Sequence, residues 1–154
     1  TMTLSRRTIL SLFAAGATTA ILSARPALAR EPDVFQTSGV AINGIDPIAY
    51  FADMRPVIGS ARHALMWNGA TWHFASVDNM ETFKANPEKF TPVFGGYCAF
   101  AASRGYLAPT IPEAWTIYKD RLYLNASLRA RTLWLEDIPG NIAKGLRNWP
   151  GILG

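Results

Sequence analysis

Apolar and polar positions alternate in two similar stretches of the chain, at residues 62–75 and 115–125. In each stretch, two short aromatic-rich runs are separated by a two-residue turn signal. Asn68-Gly69 in the first stretch is the strongest short hairpin signal, because both residues tolerate the positive φ angles of a type I′ turn. Lys119-Asp120 occupies the corresponding place in the second stretch. The pattern therefore predicts two β-hairpins.

A capping serine and a helical stretch follow each predicted hairpin. Ser76 precedes a stripe of apolar residues that ends near Pro87, and Ser127 precedes a stretch that Pro139 stops. Serine is favoured before a helix because its hydroxyl accepts a hydrogen bond from an otherwise unpaired backbone N–H. An offset of fifty-one residues superposes the two serines and also two aromatic pairs, Trp72 on Tyr123 and Phe83 on Trp134. We therefore predict an α+β fold: two ββα units that join into one small antiparallel sheet, with short helices packed on it.

Residues 39–154 are expected to form a single domain, preceded by a flexible arm at residues 30–38. Asp46 and Pro47 predict the start of a short helix, since aspartate is a preferred N-cap residue and proline is favoured at the first helical position. Tyr50 follows four residues after Asp46 and should lie near this cap. Capping alone is the simpler interpretation of Asp46.

Residues 1–29 have the pattern of an export signal. Arg6-Arg7 precede a mildly apolar run, as in twin-arginine signals, and Ala27-Leu28-Ala29 has the small-x-small pattern of a signal-peptidase site. The run is too short to anchor the mature form in a bilayer. We therefore expect cleavage after Ala29 and a periplasmic protein without a stable membrane anchor.

Loss of this leader changes the charge of the chain. Twelve basic and eleven acidic residues remain, so the basic character belongs mostly to the leader. A near-neutral domain lacks the basic footprint of nucleic-acid-binding proteins, and no nucleic-acid partner is expected. The expected partner is a metal ion or a small molecule.

Cys98 is the only cysteine of the chain, and it follows Gly95-Gly96 at the start of a short helical run that closes at Gly105. The two glycines permit a tight backbone turn. In the first turn of a helix, unpaired N–H groups and the helix dipole favour a thiolate, which is the form that binds metals or attacks electrophiles. The alternative is a buried cysteine that acts as a small apolar residue. A single cysteine forms no internal disulfide.

His73 is a further candidate ligand, and Tyr97 and Tyr50 could supply phenol groups beside the thiol. Thiolate and imidazole suit copper or another transition metal. Alternation along the strand places His73 and Phe74 on opposite faces, so His73 faces outward if Phe74 belongs to the core. The chain has no resolving cysteine, nucleophile elbow, phosphate loop or dinucleotide fingerprint. A binding role is therefore favoured over an enzymatic one.

Nearly the whole chain after the leader carries an ordered set of short motifs, among them Asp46-Pro47-Ile48-Ala49-Tyr50-Phe51, Asn68-Gly69-Ala70-Thr71-Trp72, Pro87-Glu88-Lys89-Phe90, Gly95-Gly96-Tyr97-Cys98-Ala99 and Asp137-Ile138-Pro139-Gly140-Asn141. This set resembles the exported YHS-domain proteins of bacteria. Related domains occur in copper-transporting ATPases and in some multicomponent hydroxylases. Metal-binding members often carry two cysteines, whereas this chain has one.

The resemblance implies a YHS-like domain that binds a metal ion, with copper as the expected metal, or a small ligand near Cys98, without catalysis. The predicted site consists of side chains that could contact such a ligand and of the backbone turn beside them: Cys98, His73, Tyr97, Tyr50 and Asp46, with Gly95 and Gly96 in the turn. The alternative prediction is a structural or protein-interaction module in which Cys98 is a buried core residue.

Overall fold

The computed structural model of the protein describes residues 27–154. Its strands are β1 (Gln36–Thr37), β2 (Val40–Ala41), β3 (Ser60–Trp67), β4 (Ala70–Phe74), β5 (Trp115–Tyr118) and β6 (Arg121–Leu124). Its helices are α1 (Ala49–Ala52), α2 (Val77–Ala85), α3 (Pro87–Phe90), α4 (Ala99–Ser103), α5 (Leu128–Leu135) and α6 (Ile138–Asn148). Short 3₁₀ turns occur at Ile42–Gly44, Val93–Gly96 and Gly151–Leu153. The predicted α+β class is confirmed.

Both predicted hairpins are present, each with a two-residue turn. Trp67 pairs with Ala70 in the first hairpin, and Tyr118 pairs with Arg121 in the second. Asn68-Gly69 and Lys119-Asp120 all have positive φ angles, which is the backbone conformation of a type I′ turn. The turn chemistry therefore set the register of both strand pairs.

The helix after each hairpin begins at the predicted serine. The Ser76 hydroxyl accepts a hydrogen bond from the Asn79 N–H at 3.1 Å, and the Ser127 hydroxyl accepts one from Ala130 at 3.0 Å. The internal repeat extends to the packing of each helix on its hairpin. The ring centroids of Trp72 and Phe83 lie 5.1 Å apart, with an angle of 33° between the ring planes. Those of Tyr123 and Trp134 lie 4.9 Å apart, with an interplanar angle of 35°.

The two hairpins do not join into one antiparallel sheet, which corrects that part of the prediction. Within the described residues there is a four-stranded sheet in the order β1-β2-β4-β3 and a separate two-stranded sheet of β5 and β6. The free edge of β4 is taken by β2, which runs parallel to it and pairs Val40 with Thr71. β6 instead forms an isolated parallel bridge between Leu124 and Cys98. With these edges occupied, β4 and β6 cannot pair with each other.

Residues 30–38 are not the expected flexible arm. Val34 and Phe35 are buried, and β1 pairs with β2 in the four-stranded sheet. The Phe35 N–H also donates to the Gly95 carbonyl at 2.9 Å. Burial of two apolar side chains favours docking of this segment over solvation.

The second hairpin contributes to two apolar clusters. Leu122 and Leu124 face the larger cluster, which also contains Trp72 and Phe74, whereas Tyr123 faces a smaller cluster around Trp134. Successive side chains of a strand point in opposite directions, so each face of the hairpin packs against one of the two clusters. The hairpin therefore lies between the two clusters.

The predicted leader falls mainly on residues 1–26, which lie outside the described residues. Across residues 27–154, no helix is both long enough and apolar enough to cross a membrane.

Candidate functional site

Cys98 immediately precedes α4 and is its N-cap residue. Its Sγ accepts a hydrogen bond from the Ala101 N–H at 3.4 Å and lies 3.5 Å from the Asn125 Oδ1, to which the thiol donates. Only 1% of the residue's surface is exposed. Gly105 closes the segment with a φ of 88°, as predicted. The thiol therefore caps the helix from inside the core instead of facing an opening.

Asn125 is the neighbour of Cys98 that sequence analysis missed. Its Oδ1 also accepts a hydrogen bond from the Phe100 N–H at 3.0 Å, so one amide oxygen serves both the thiol and the first turn of α4. The side chain is fully buried, and its Nδ2 has no hydrogen-bond partner among the described residues. A polar residue directly after the apolar strand β6 was the only sequence signal for this role.

Gly95 and Gly96 form the predicted turn, with φ angles of 63° and 88°. The turn is covered by the docked N-terminal segment. A Cβ at Gly95 would overlap the carbonyl oxygen of Asp33, and the Gly96 carbonyl accepts a hydrogen bond from the Thr110 hydroxyl at 2.7 Å. The glycines therefore permit close backbone approach, and they do not form an open cradle for a ligand.

Tyr97 and Tyr50 direct their hydroxyls to backbone carbonyls and not to the sulfur of Cys98. The Tyr97 hydroxyl donates to the Pro32 carbonyl at 3.0 Å, and the Tyr50 hydroxyl donates to the Pro112 carbonyl at 2.9 Å. Burial raises the pKa of Tyr97, with further contributions from the negative charges of Glu31 and Asp33. Burial also raises the pKa of Tyr50, and the charge of Glu113 adds to it. Both tyrosines are neutral donors that hold loops in place.

Asp46 is fully buried and uses both carboxylate oxygens within the fold. Oδ1 accepts a hydrogen bond from the Ile48 N–H at 2.8 Å. Oδ2 accepts from the Ala75 N–H at 2.8 Å and from the Asn79 Nδ2 at 2.7 Å. The N-cap of α1 is Ile48, not the predicted Asp46, because the helix begins at Ala49. Asp46 instead accepts a hydrogen bond from Ile48 in the turn before α1 and ties this turn to the start of α2. It makes no hydrogen bond to Cys98.

His73 lies on the face of β4 opposite the buried Phe74. It lines an open depression of about 390 Å³ together with Asn43 and Ile58, among others. Cys98 does not line this depression. His73 therefore faces outward, as the alternation along the strand predicted. Its imidazole is not among the hydrogen-bond partners of the Cys98 thiol.

The predicted site residues occupy several separate places in the fold. Within residues 27–154, no group of three or more His, Cys, Asp or Glu side chains is close enough to hold a metal ion. One groove of about 330 Å³ is lined by Tyr97, which precedes Cys98 in the chain, and by Phe35 and Ala108, among others. The Ala108 carbonyl accepts a hydrogen bond from the Cys98 N–H at 3.0 Å, but Cys98 itself does not line this groove.

Comparison with family models, with curated proteins and with solved structures finds no match to this chain. Its function therefore has to be inferred from its own residues and their geometry.

Proposed function

We propose that this protein is an exported, non-catalytic binding domain in which Cys98 is a structural residue of the core. The observation that carries the proposal is the enclosure of the thiol, whose residue is 1% exposed and whose sulfur is hydrogen bonded to Ala101 and Asn125. A free cysteine in such surroundings behaves as a small apolar residue with a weak S–H donor. Ligands or partners then bind at the open grooves of the domain.

The partners of the thiol support a role without catalysis. A nucleophilic cysteine needs an adjacent base that takes up its proton. Among the described residues, the partners of the Cys98 sulfur are the amide oxygen of Asn125 and the N–H of Ala101, and neither group serves as a general base.

Reaction of the native protein with a thiol reagent tests this proposal. The matched control is Ala61→Cys, which adds an exposed thiol on β3. We expect Cys98 to react at least about 100-fold more slowly than the thiol at position 61, because reaction requires local opening of the core. In denaturant both thiols should react at the same rate. Equal rates in the native protein would overturn the structural role of Cys98.

Binding of copper or another transition metal near Cys98 stays a prediction from the resemblance to exported YHS-domain proteins. Titration of copper(I) and zinc into wild type and Cys98→Ser tests it directly. One equivalent bound by wild type and lost in Cys98→Ser would support the metal site and contradict a purely structural thiol. Equal binding by both proteins, or by neither, would exclude Cys98 as a ligand.

Export is proposed from the leader, and the resemblance supports it. The paired arginines at positions 6 and 7 and the small residues at Ala27 and Ala29 match a twin-arginine signal, with release into the periplasm after Ala29. Replacing both arginines by lysine should retain the protein in the cytoplasm, which cell fractionation would detect. Unchanged export of that variant would contradict the assignment.

A further inference from the structure

A groove separates the second hairpin from the start of α6. The register of the hairpin pairs Tyr118 with Arg121 and Thr116 with Tyr123, so these four side chains share one face. Tyr118, Arg121 and Tyr123 line this groove of about 300 Å³, together with Lys119 of the turn and three residues of α6, namely Pro139, Ile142 and Ala143. We call it the β6–α6 groove.

The β6–α6 groove combines apolar walls with unpaired positive charge. Lys119 and Arg121 are exposed, and neither forms a salt bridge within residues 27–154. The Lys119 ammonium lies 5.5 Å from the centroid of the Tyr118 ring, so this positive charge makes a cation–π contact with an aromatic side chain of the groove. A ligand with an aromatic body and one negative charge would match both features.

The Tyr123 side chain adds a hydrogen-bond donor to the groove. Its ring is buried against Trp134, and its hydroxyl makes no hydrogen bond to another residue of the described part of the chain. Burial raises the pKa of Tyr123, and this effect outweighs the lowering by Arg121. The phenol therefore stays protonated at neutral pH and can donate to an anionic ligand.

The first ββα unit shows that the fold itself does not require such a groove. The positions equivalent to Tyr118, Arg121 and Tyr123 are Trp67, Ala70 and Trp72. There the centroid of the Trp67 ring lies 6.2 Å from that of Trp72 and 5.8 Å from that of Phe83. The Trp72 Nε1 also donates a hydrogen bond to the Trp67 carbonyl. Tryptophan side chains therefore fill this space in the first unit. In the second unit, two tyrosines and an arginine line an open groove at the equivalent positions.

Charge is distributed unevenly along the described chain. Residues 115–154 contain six basic and three acidic side chains, whereas residues 30–114 contain six basic and eight acidic ones. Two acidic groups lie near the groove. Asp120 is an exposed residue of the same turn, and Asp137 accepts the Gly140 N–H at the start of α6. The excess of positive charge favours an anionic ligand.

We propose that the β6–α6 groove binds a small aromatic carboxylate. The ring packs between the two tyrosines and the apolar residues of α6, and the carboxylate is held by Lys119, Arg121 and the Tyr123 hydroxyl. The groove volume of about 300 Å³ is at the lower end of small-molecule sites and fits a molecule with a single ring. This inference rests on the proposed binding role of the domain, but it does not depend on the state of Cys98.

Titration of phenylacetate into the ¹⁵N-labelled full-length protein, followed by NMR, tests the proposal. We expect amide shifts concentrated at residues 118–123 and 139–143, with a dissociation constant of about 1 mM or tighter for so small a probe. Phenylacetamide, which has the same shape without the charge, should bind at least about tenfold more weakly.

Two double variants with the same change of charge locate the site. Lys119→Gln with Arg121→Gln should weaken phenylacetate binding at least about tenfold. Arg129→Gln with Lys144→Gln should leave it unchanged, because those two exposed residues do not line the groove. Ala143→Trp should abolish binding by filling the groove.

Three results would overturn the proposal. The first is the absence of shifts at about 10 mM phenylacetate, which corresponds to less than about 3 kcal/mol of binding free energy. The second is equal weakening by the two double variants, or none by either. The third is displacement of phenylacetate by an equal concentration of acetate, since the site would then recognise charge alone. The thiol-reactivity assay is independent of these outcomes, so failure of this inference leaves the proposed role of Cys98 intact.

Discussion

Replacement of Asp46 tests whether one buried carboxylate holds α1, β4 and α2 together. Its two oxygens accept three hydrogen bonds, from Ile48, Ala75 and Asn79, at 2.7–2.8 Å. Two of the three donors are backbone N–H groups, and the carboxylate is fully buried. Substitution therefore leaves donors in the protein interior without an acceptor.

The expected loss is large compared with the total stability of a domain of this size. A hydrogen bond to a charged group contributes about 1.5–3 kcal/mol, and a buried donor without a partner costs about 1–3 kcal/mol. Asp46→Asn keeps one acceptor oxygen but turns an amino group towards a donor, so we expect a loss of about 2–3 kcal/mol. Asp46→Ala removes every acceptor, and we expect about 3–5 kcal/mol out of a typical total of 5–15 kcal/mol.

Urea unfolding followed by circular dichroism and tryptophan fluorescence measures this loss. The midpoint should fall while the slope m is unchanged, because the surface exposed on unfolding is the same. Asp53→Asn is the matched control, since Asp53 is exposed directly after α1, and it should change stability by less than about 0.5 kcal/mol. If Asp46→Asn costs no more than the control, the carboxylate does not hold these elements together and the reasoning is wrong.

Three further predictions concern the turn, the repeat and the buried phenol. Gly95→Ala should cost about 2–4 kcal/mol in urea unfolding, because its φ is 63° and a Cβ would overlap a carbonyl of the docked N-terminal segment. Ser76→Ala and Ser127→Ala should each cost about 1 kcal/mol in the same assay, since they cap equivalent helices; unequal losses would contradict equivalent caps. Burial raises the pKa of Tyr50 above its ordinary value of 10.0, so the folded state keeps a proton that the unfolded chain loses. The stabilisation by the neutral Tyr50 phenol is complete below about pH 10. Above that pH, its loss contributes about 1.4 kcal/mol per pH unit to the fall in the free energy of unfolding, so the fall should be less steep in Tyr50→Phe.

Controls separate these effects from general destabilisation. Gly39→Ala places a Cβ at another positive φ but in open space, so it should cost less than the change at Gly95. Tyr106→Phe removes an exposed hydroxyl and should leave the alkaline slope unchanged. An alkaline slope that is the same in wild type and Tyr50→Phe would show that this phenol ionises equally in both states.

The sequence alone predicted what depends on residues a few positions apart. Asn68-Gly69 and Lys119-Asp120 favour positive φ angles, and Ser76 and Ser127 supply a hydroxyl within reach of a backbone N–H three residues later. The offset that aligns Trp72 with Tyr123 also identified the repeat, because equivalent strands present equivalent faces to their helices. These interactions join residues within one hairpin and its helix, so the local sequence was enough to predict them.

The tertiary structure alone decided how the two units meet and what surrounds Cys98. Its sulfur contacts Asn125, twenty-seven positions further along the chain, and the docked segment at residues 30–38 covers the Gly95 turn. β2 takes the edge of β4 that the second hairpin would have needed. Such contacts depend on which surfaces are buried together and on which strand edges are already paired, and neither property is encoded in local spacing. A cysteine at the start of a short helix has the same local sequence whether its thiol faces water or the core. Only the residues packed around it distinguish the exposed thiol from the buried one.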